Sequence, residues 1–123
     1  MASLKWLREK ISFQKIGDYY EITTPFFDPC NDAIQIYIKK ESDHFVFSDD
    51  GYTLNTLIAQ GFTLSGNRKE QLEKLLLQYN AKLIDCEIVS QCPLGCFSDA
   101  KHMFIQALLR VNDLYLTVRT RPK

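Results

Sequence analysis

Three carboxylates and a lysine raise the first chemical question. Glu21, Asp32 and Asp49, with Lys39 among them, fall in a stretch that alternates like β-strands. Carboxylates beside a lysine on neighbouring strands can hold a divalent cation and activate water, the chemistry of a metal-dependent nuclease. The usual acidic-x-Lys dyad is missing, because Tyr37-Ile38-Lys39 carries a tyrosine where the carboxylate belongs. Asp49-Asp50-Gly51 also has a simpler explanation as a turn entering a helix, where Asp is favoured by turn geometry and by the helix dipole.

The thiols pose a second question. Cys92 and Cys96 bracket Pro93-Leu94-Gly95, a spacing that zinc tolerates. A tetrahedral site needs two more ligands; Cys86 could be a third, and His102 or Cys30 a fourth only if folding brings them together. A turn flanked by small apolar residues is the simpler reading, and free thiols are expected in a cytosolic chain. A labile Cys92–Cys96 disulfide has little support. His44 and His102 have no neighbouring Ser or Cys in a nucleophile motif. None of the five glycines builds a phosphate loop. The motifs therefore point to no catalytic residue and no cofactor. The carboxylate–lysine set and the Cys86, Cys92, Cys96, His102 set stand as the enzyme and metal alternatives.

Charge narrows the partner. Fifteen Lys and Arg balance fifteen Asp and Glu over 123 residues, which argues against a general nucleic-acid binder. The balance is segregated: residues 1–15 carry net +3, residues 16–66 net −6, and residues 101–123 net +4. The acidic segment is also rich in aromatics, among them Tyr37 and Tyr52. Aromatic rings on a sheet can stack bases, but that use demands a basic surface. An acidic, aromatic region instead suits a protein partner. Asp28, Asp32, Tyr37, Asp49, Asp50 and Tyr52 are its candidate contact residues.

The elements that must position these residues follow from periodicity. Leu4, Leu7 and Ile11, with Trp6, predict an amphipathic helix over residues 3–14. A strand follows and ends at Pro25. Ile34, Ile36 and Ile38 alternate with Gln35, Tyr37 and Lys39 in the clearest half-buried strand. A third strand covers His44–Ser48, and short links favour an antiparallel meander. Gly51 can take positive φ, with a short helix closing near Gly61 and another over residues 67–79. Residues 83–89 read as one strand. A last helix begins at Ser98 or Asp99, and residues 119–123 form a frayed tail. The fold class is α+β: one domain, a small antiparallel sheet with helices packed on one face. No run of eighteen apolar residues predicts a membrane span. No signal peptide is evident, so a cytoplasmic protein is expected. A homodimer through the N-terminal helix or a sheet edge is a further option.

Several of these segments are familiar together. Ile22-Thr23-Thr24-Pro25-Phe26-Phe27-Asp28, Ile34-Gln35-Ile36-Tyr37 and Ser48-Asp49-Asp50-Gly51-Tyr52-Thr53-Leu54 resemble the family named domain of unknown function 1828. So do Lys101-His102-Met103-Phe104-Ile105-Gln106-Ala107-Leu108-Leu109 and Val111-Asn112-Asp113-Leu114. The strand–Asp-Asp-Gly-Tyr-Thr-Leu–helix segment is the most specific part, and the resemblance spans roughly residues 20 to 115. It implies a small domain often encoded in prophages or mobile elements of low-GC Gram-positive bacteria. It implies no reaction and no catalytic residues. Ser90-Gln91-Cys92-Pro93-Leu94-Gly95-Cys96 departs from the family pattern, which argues against a shared cysteine metal site. Charge and resemblance together give the expectation of a non-enzymatic interaction module. It would be a prophage accessory protein that binds or inhibits a basic, nucleic-acid-binding host protein such as a defence nuclease.

Overall fold

The isoleucine alternation in residues 33–40 dictates a strand with one dry face and one wet face. A computed structural model, which describes residues 12–64 and 66–120, shows that strand near the centre of a sheet. The elements run β1 (Ser12–Ile16), β2 (Tyr19–Phe27), β3 (Ala33–Lys40) and β4 (His44–Ser48), then α1 (Tyr52–Ala59) and α2 (Asn67–Leu77). β5 (Ala81–Ile84), β6 (Glu87–Pro93), a 3-10 turn at Leu94–Cys96 and α3 (Phe97–Thr120) complete them. The six strands are antiparallel in the order β1-β2-β3-β4-β6-β5. Helices cover one face, which makes the domain α+β.

The covered face carries Ile22, Ile34, Ile36, Ile38, Phe47 and Ile88, all buried against Leu54, Leu57, Leu72, Leu76, Phe104 and Leu108 of the helices. Phe97 meets Phe45 at 4.9 Å and Phe47 at 5.8 Å between ring centres, and Phe47 meets Phe104 at 5.7 Å. These aromatic contacts fasten β4 to α3 beyond the apolar area they bury. The other face is open. Register aligns Glu21, Tyr37, Ser48 and Val89 in one row across it, and Tyr19, Lys39, Val46 and Gln91 in the next.

Four expectations change. Residues 12–14 are strand, not helix: the Leu4, Leu7, Ile11 stripe has no apolar continuation at Gln14 or Lys15, and β1 instead pairs with β2 across a two-residue Gly17-Asp18 turn. Residues 1–11 lie outside the described residues. β2 runs past Pro25 to Phe27, with a register irregularity between Thr23 and Phe27 that accommodates the missing proline N–H. Residues 83–89 are not one strand but the junction of a hairpin, because Asp85 turns the chain at φ 56; Asp tolerates that conformation better than most residues. The helical backbone of α3 includes Arg119 and Thr120, so helix continues into the expected frayed tail, and 121–123 lie outside the described residues.

Where β4 gives way to α1, Asp50 (φ 57) and Gly51 (φ 77) turn the chain through two left-handed residues. A Cβ on Gly51 would come within 3.2 Å of Asn55 Nδ2, so glycine suits both the angle and the space. Asp49 holds this turn. Its Oδ1 accepts the N–H of Gly51 at 2.9 Å and of Ile88 at 2.9 Å, and its Oδ2 accepts the N–H of Thr53 at 3.0 Å. Its own N–H donates to the Ile88 carbonyl at 3.2 Å. One 1 % exposed carboxyl thus ties β4, the first turn of α1 and β6. We predict that Asp49→Ala, which strands three backbone donors, lowers unfolding free energy by about 3–5 kcal/mol. Asp49→Asn should cost less, because its amide oxygen can still accept on one side. Urea denaturation of the three proteins measures the order.

Candidate functional site

The loop after β2 begins with a carboxyl used for shape. Asp28, 8 % exposed, accepts the N–H groups of Cys30 at 2.9 Å and Asp32 at 3.0 Å on Oδ1. Asn31 turns the loop at φ 66. This Asx-type turn presents Asp32 outward. Across from it, the Tyr52 hydroxyl at the start of α1 donates to Asp32 Oδ2 at 2.8 Å. That bond first, then burial and the nearby Asp28 carboxyl, push the Tyr52 phenol up to about 12.

Loop and helix enclose a groove of about 830 Å³ at this end of the sheet. Asp32, Asp50, Tyr37 and Tyr52 line it with Gln35 and Asn55. Asp32 and Asp50 are exposed, and neither carboxylate has a cationic partner among the described residues. On the open face a second, smaller cavity of about 260 Å³ lies between Tyr19, Tyr37, Lys39, Val46, Ser48, Asp50 and Glu87. Tyr37 and Asp50 border both cavities. Tyr19 meets Tyr37 edge to face at 5.9 Å. The Ser48 hydroxyl donates to Glu87 Oε2 and accepts the Asp50 N–H at 2.9 Å, so one serine orients the acid and the turn together. Burial, followed by the charge of and hydrogen bond to Glu21, raises the Tyr37 phenol above its ordinary range.

The fold therefore gathers Asp32, Tyr37, Asp50 and Tyr52 of the expected contact residues around one groove. Asp28 and Asp49 are different: both are buried, Asp49 commits both carboxyl oxygens to backbone N–H groups, and Asp28 commits Oδ1 while its buried Oδ2 has no hydrogen-bond partner among the described residues. Burial pushes the Asp49 carboxyl up, against the pull of those hydrogen bonds. The nuclease set is not assembled. Glu21 and Lys39 lie on the open face in different rows, Asp32 on the loop, and Asp49 points its carboxyl at backbone. The thiol set is dispersed as well. Cys86 sits before the start of β6 and buried Cys92 near its far end, about 20 Å away for a strand of this length. Cys96 and His102 are exposed beyond it. Burial, then Cys96, holds the Cys92 thiol above its ordinary range, which makes it a poor ligand and nucleophile. Among the described residues, no group of three or more His, Cys, Asp or Glu converges as a metal site, and no helix is long and apolar enough to cross a membrane.

The acidic excess is likewise divided. Asp18, Glu41 and Asp43 lie at the opposite end of the sheet from the groove, in the β1–β2 and β3–β4 turns. There Glu41 faces Lys39 at 3.9 Å and Asp43 contacts His44 at 2.7 Å. Glu87 and Ser48 escaped the sequence reading because residues 83–89 read as one strand, which hides the hairpin that returns Glu87 beside β4.

A family model described as "Domain of unknown function DUF1828" matches residues 24–111. No curated protein and no solved structure matches the chain.

The Tyr52–Asp32 bond is testable by titration. A raised folded pKa means the bond is intact below the ordinary tyrosine range and lost as pH rises through about 12. Asp32→Asn should return the Tyr52 phenol towards its ordinary value. Tyrosine-ring NMR, assigned with Tyr52→Phe, reads the change.

Proposed function

We propose that this chain, which belongs to the DUF1828 family, is a non-enzymatic interaction module whose acidic groove takes basic side chains of a protein partner. The observation that carries the reading is the pair of exposed carboxylates, Asp32 and Asp50, set in one tyrosine-walled groove with no cation of their own among the described residues. Such a surface attracts a basic protein, steers its approach and repels acidic competitors. Tyrosine rings beside the carboxylates add stacking and cation–π attraction for arginine. A basic partner that itself binds nucleic acid fits this chemistry. In a prophage or mobile element, such a module acts as an accessory protein that occupies the nucleic-acid surface of a host protein, for instance a defence nuclease.

The test must spare the carboxyls that hold the fold. Asp32→Lys with Asp50→Lys reverses the groove and leaves Asp28 and Asp49 intact. Pull-down from a bacterial host lysate should recover a basic, nucleic-acid-binding protein with the native chain. The double variant, shown folded by circular dichroism, should bind the purified partner at least tenfold more weakly, an effect of about 1.4 kcal/mol or more. Recovery of no basic partner, or equal binding by the reversed groove, overturns the proposal.

A further inference from the structure

The sheet is packed on one side only. Helices cover the isoleucine face, while the other face carries Tyr19, Tyr37 and Val46 on three adjacent strands. Tyr19 is 39 % exposed, and Tyr37 and Val46 are half-buried. A face given over to water normally carries polar residues; these three instead line the open-face cavity of about 260 Å³. The register also fixes where the preceding chain arrives. Ser12, the first residue of β1, pairs with Thr23, which pairs with Gln35. Glu21 and Tyr37 lie one row further in, and Tyr19 and Val46 two rows in. Rows on one face are about 6.8 Å apart and strands about 4.8 Å apart, so the band lies within about 14 Å of the row at which the chain enters and is about 10 Å wide.

Residues 1–11 carry a pattern that complements this face. Leu4, Leu7 and Ile11 recur at helical spacing, and Lys5, Arg8 and Lys10 against Glu9 give net +2. As a helix, Leu4 to Ile11 extends about 10.5 Å, and a helix is about 10 Å across. Turned back over the sheet from Ser12, the stripe spans the rows and strands that carry Tyr19, Tyr37 and Val46. Arg8 and Lys10, nearest the entry, then fall at the end of the face that bears Glu21, Asp50 and Glu87, opposite charges brought together. At the far end Lys39 already faces Glu41 at 3.9 Å.

We infer that residues 1–11 fold back from Ser12 as an amphipathic helix and cover the open face of their own chain, with Leu7 seated in the cavity between Tyr19, Tyr37 and Val46 and with Arg8 and Lys10 beside the carboxylates. The sheet then has a helical layer on each side. Asp32 and Tyr52 lie outside the covered band, so the contact is independent of what the groove binds.

NMR of the full chain, labelled at leucine and valine methyls and tyrosine rings, tests this directly. The Leu4 and Leu7 methyls should show nuclear Overhauser contacts to the Tyr37 ring and the Val46 methyls. In a sample that mixes labelled and unlabelled chains, isotope-filtered spectra should show none of these contacts between chains. Leu7→Asp changes a residue outside every described element. It should lower the docked-to-free ratio at least about tenfold, the fall expected when one buried leucine is lost, and the Val46 methyls should become more accessible to a soluble gadolinium chelate. Arg8→Glu with Lys10→Glu should also weaken the contact, and more strongly at low ionic strength. Absence of the contacts in the native chain, contacts made only between chains, or Val46 accessibility unchanged by Leu7→Asp overturns the inference. Indifference to the charge reversal overturns the placement of Arg8 and Lys10 beside the carboxylates.

Discussion

The Asp49 carboxyl is the constraint on which the rest of this structure depends. Three backbone N–H groups from the turn, from α1 and from β6 end on two oxygens that have almost no contact with water. Burying a carboxyl is costly unless its acceptors are filled, and here at least one strong donor reaches each oxygen. The arrangement also completes α1 without a side-chain cap from the residue that precedes it. Gly51 occupies that place with a left-handed backbone, and the capping oxygen comes from two residues earlier. Because α1 starts there, Tyr52 comes to face Asp32, and the groove acquires its second wall.

The acidic residues consequently do two jobs. Asp28 and Asp49 shape backbone; Asp32 and Asp50, close by in sequence, face solvent. A charge count over residues 16–66 cannot separate them, since Asp is equally suited to a turn and to a docking surface. Burial separates them. Two of the three acids at the other end of the sheet, Glu41 and Asp43, find partners in Lys39 and His44. The negative surface at the groove is therefore narrower than the sum suggests, and it coincides with Tyr37 and Tyr52.

Legibility followed the strength of local patterning. β3 was readable because three isoleucines alternate with polar residues, and β4, α2 and α3 followed from equally plain periodicity. The family resemblance rested on the segment that turned out to hold Asp49, Asp50 and Gly51. β1 was not readable, because its strand character comes from pairing with β2 and not from alternation of its own. The β5–β6 hairpin was hidden because its turn, Asp85-Cys86, contains neither glycine nor proline. Glu87 and Ser48 remained out of sight for the same reason: their meeting depends on β4 pairing with β6, a long-range register that no local pattern announces. Asp32 and Tyr52 were each recognisable, but the hydroxyl–carboxylate bond that joins them is a product of tertiary geometry.

The strand order has a consequence for how the chain finds this fold. The pairings β1–β2, β2–β3, β3–β4 and β5–β6 join sequence neighbours through turns, and each can form with little loop to close. β4–β6 is different; the Asp49–Ile88 bonds at its end link positions 39 apart. Closing a flexible loop of that size costs about 3 kcal/mol in chain entropy beyond a constant, and α1 and α2 shorten the effective path only once they are helical. The largest chain-entropy cost in this topology thus falls on the meeting of a four-strand meander with a two-strand hairpin. Asp49 sits at the seam where that entropy must be recovered.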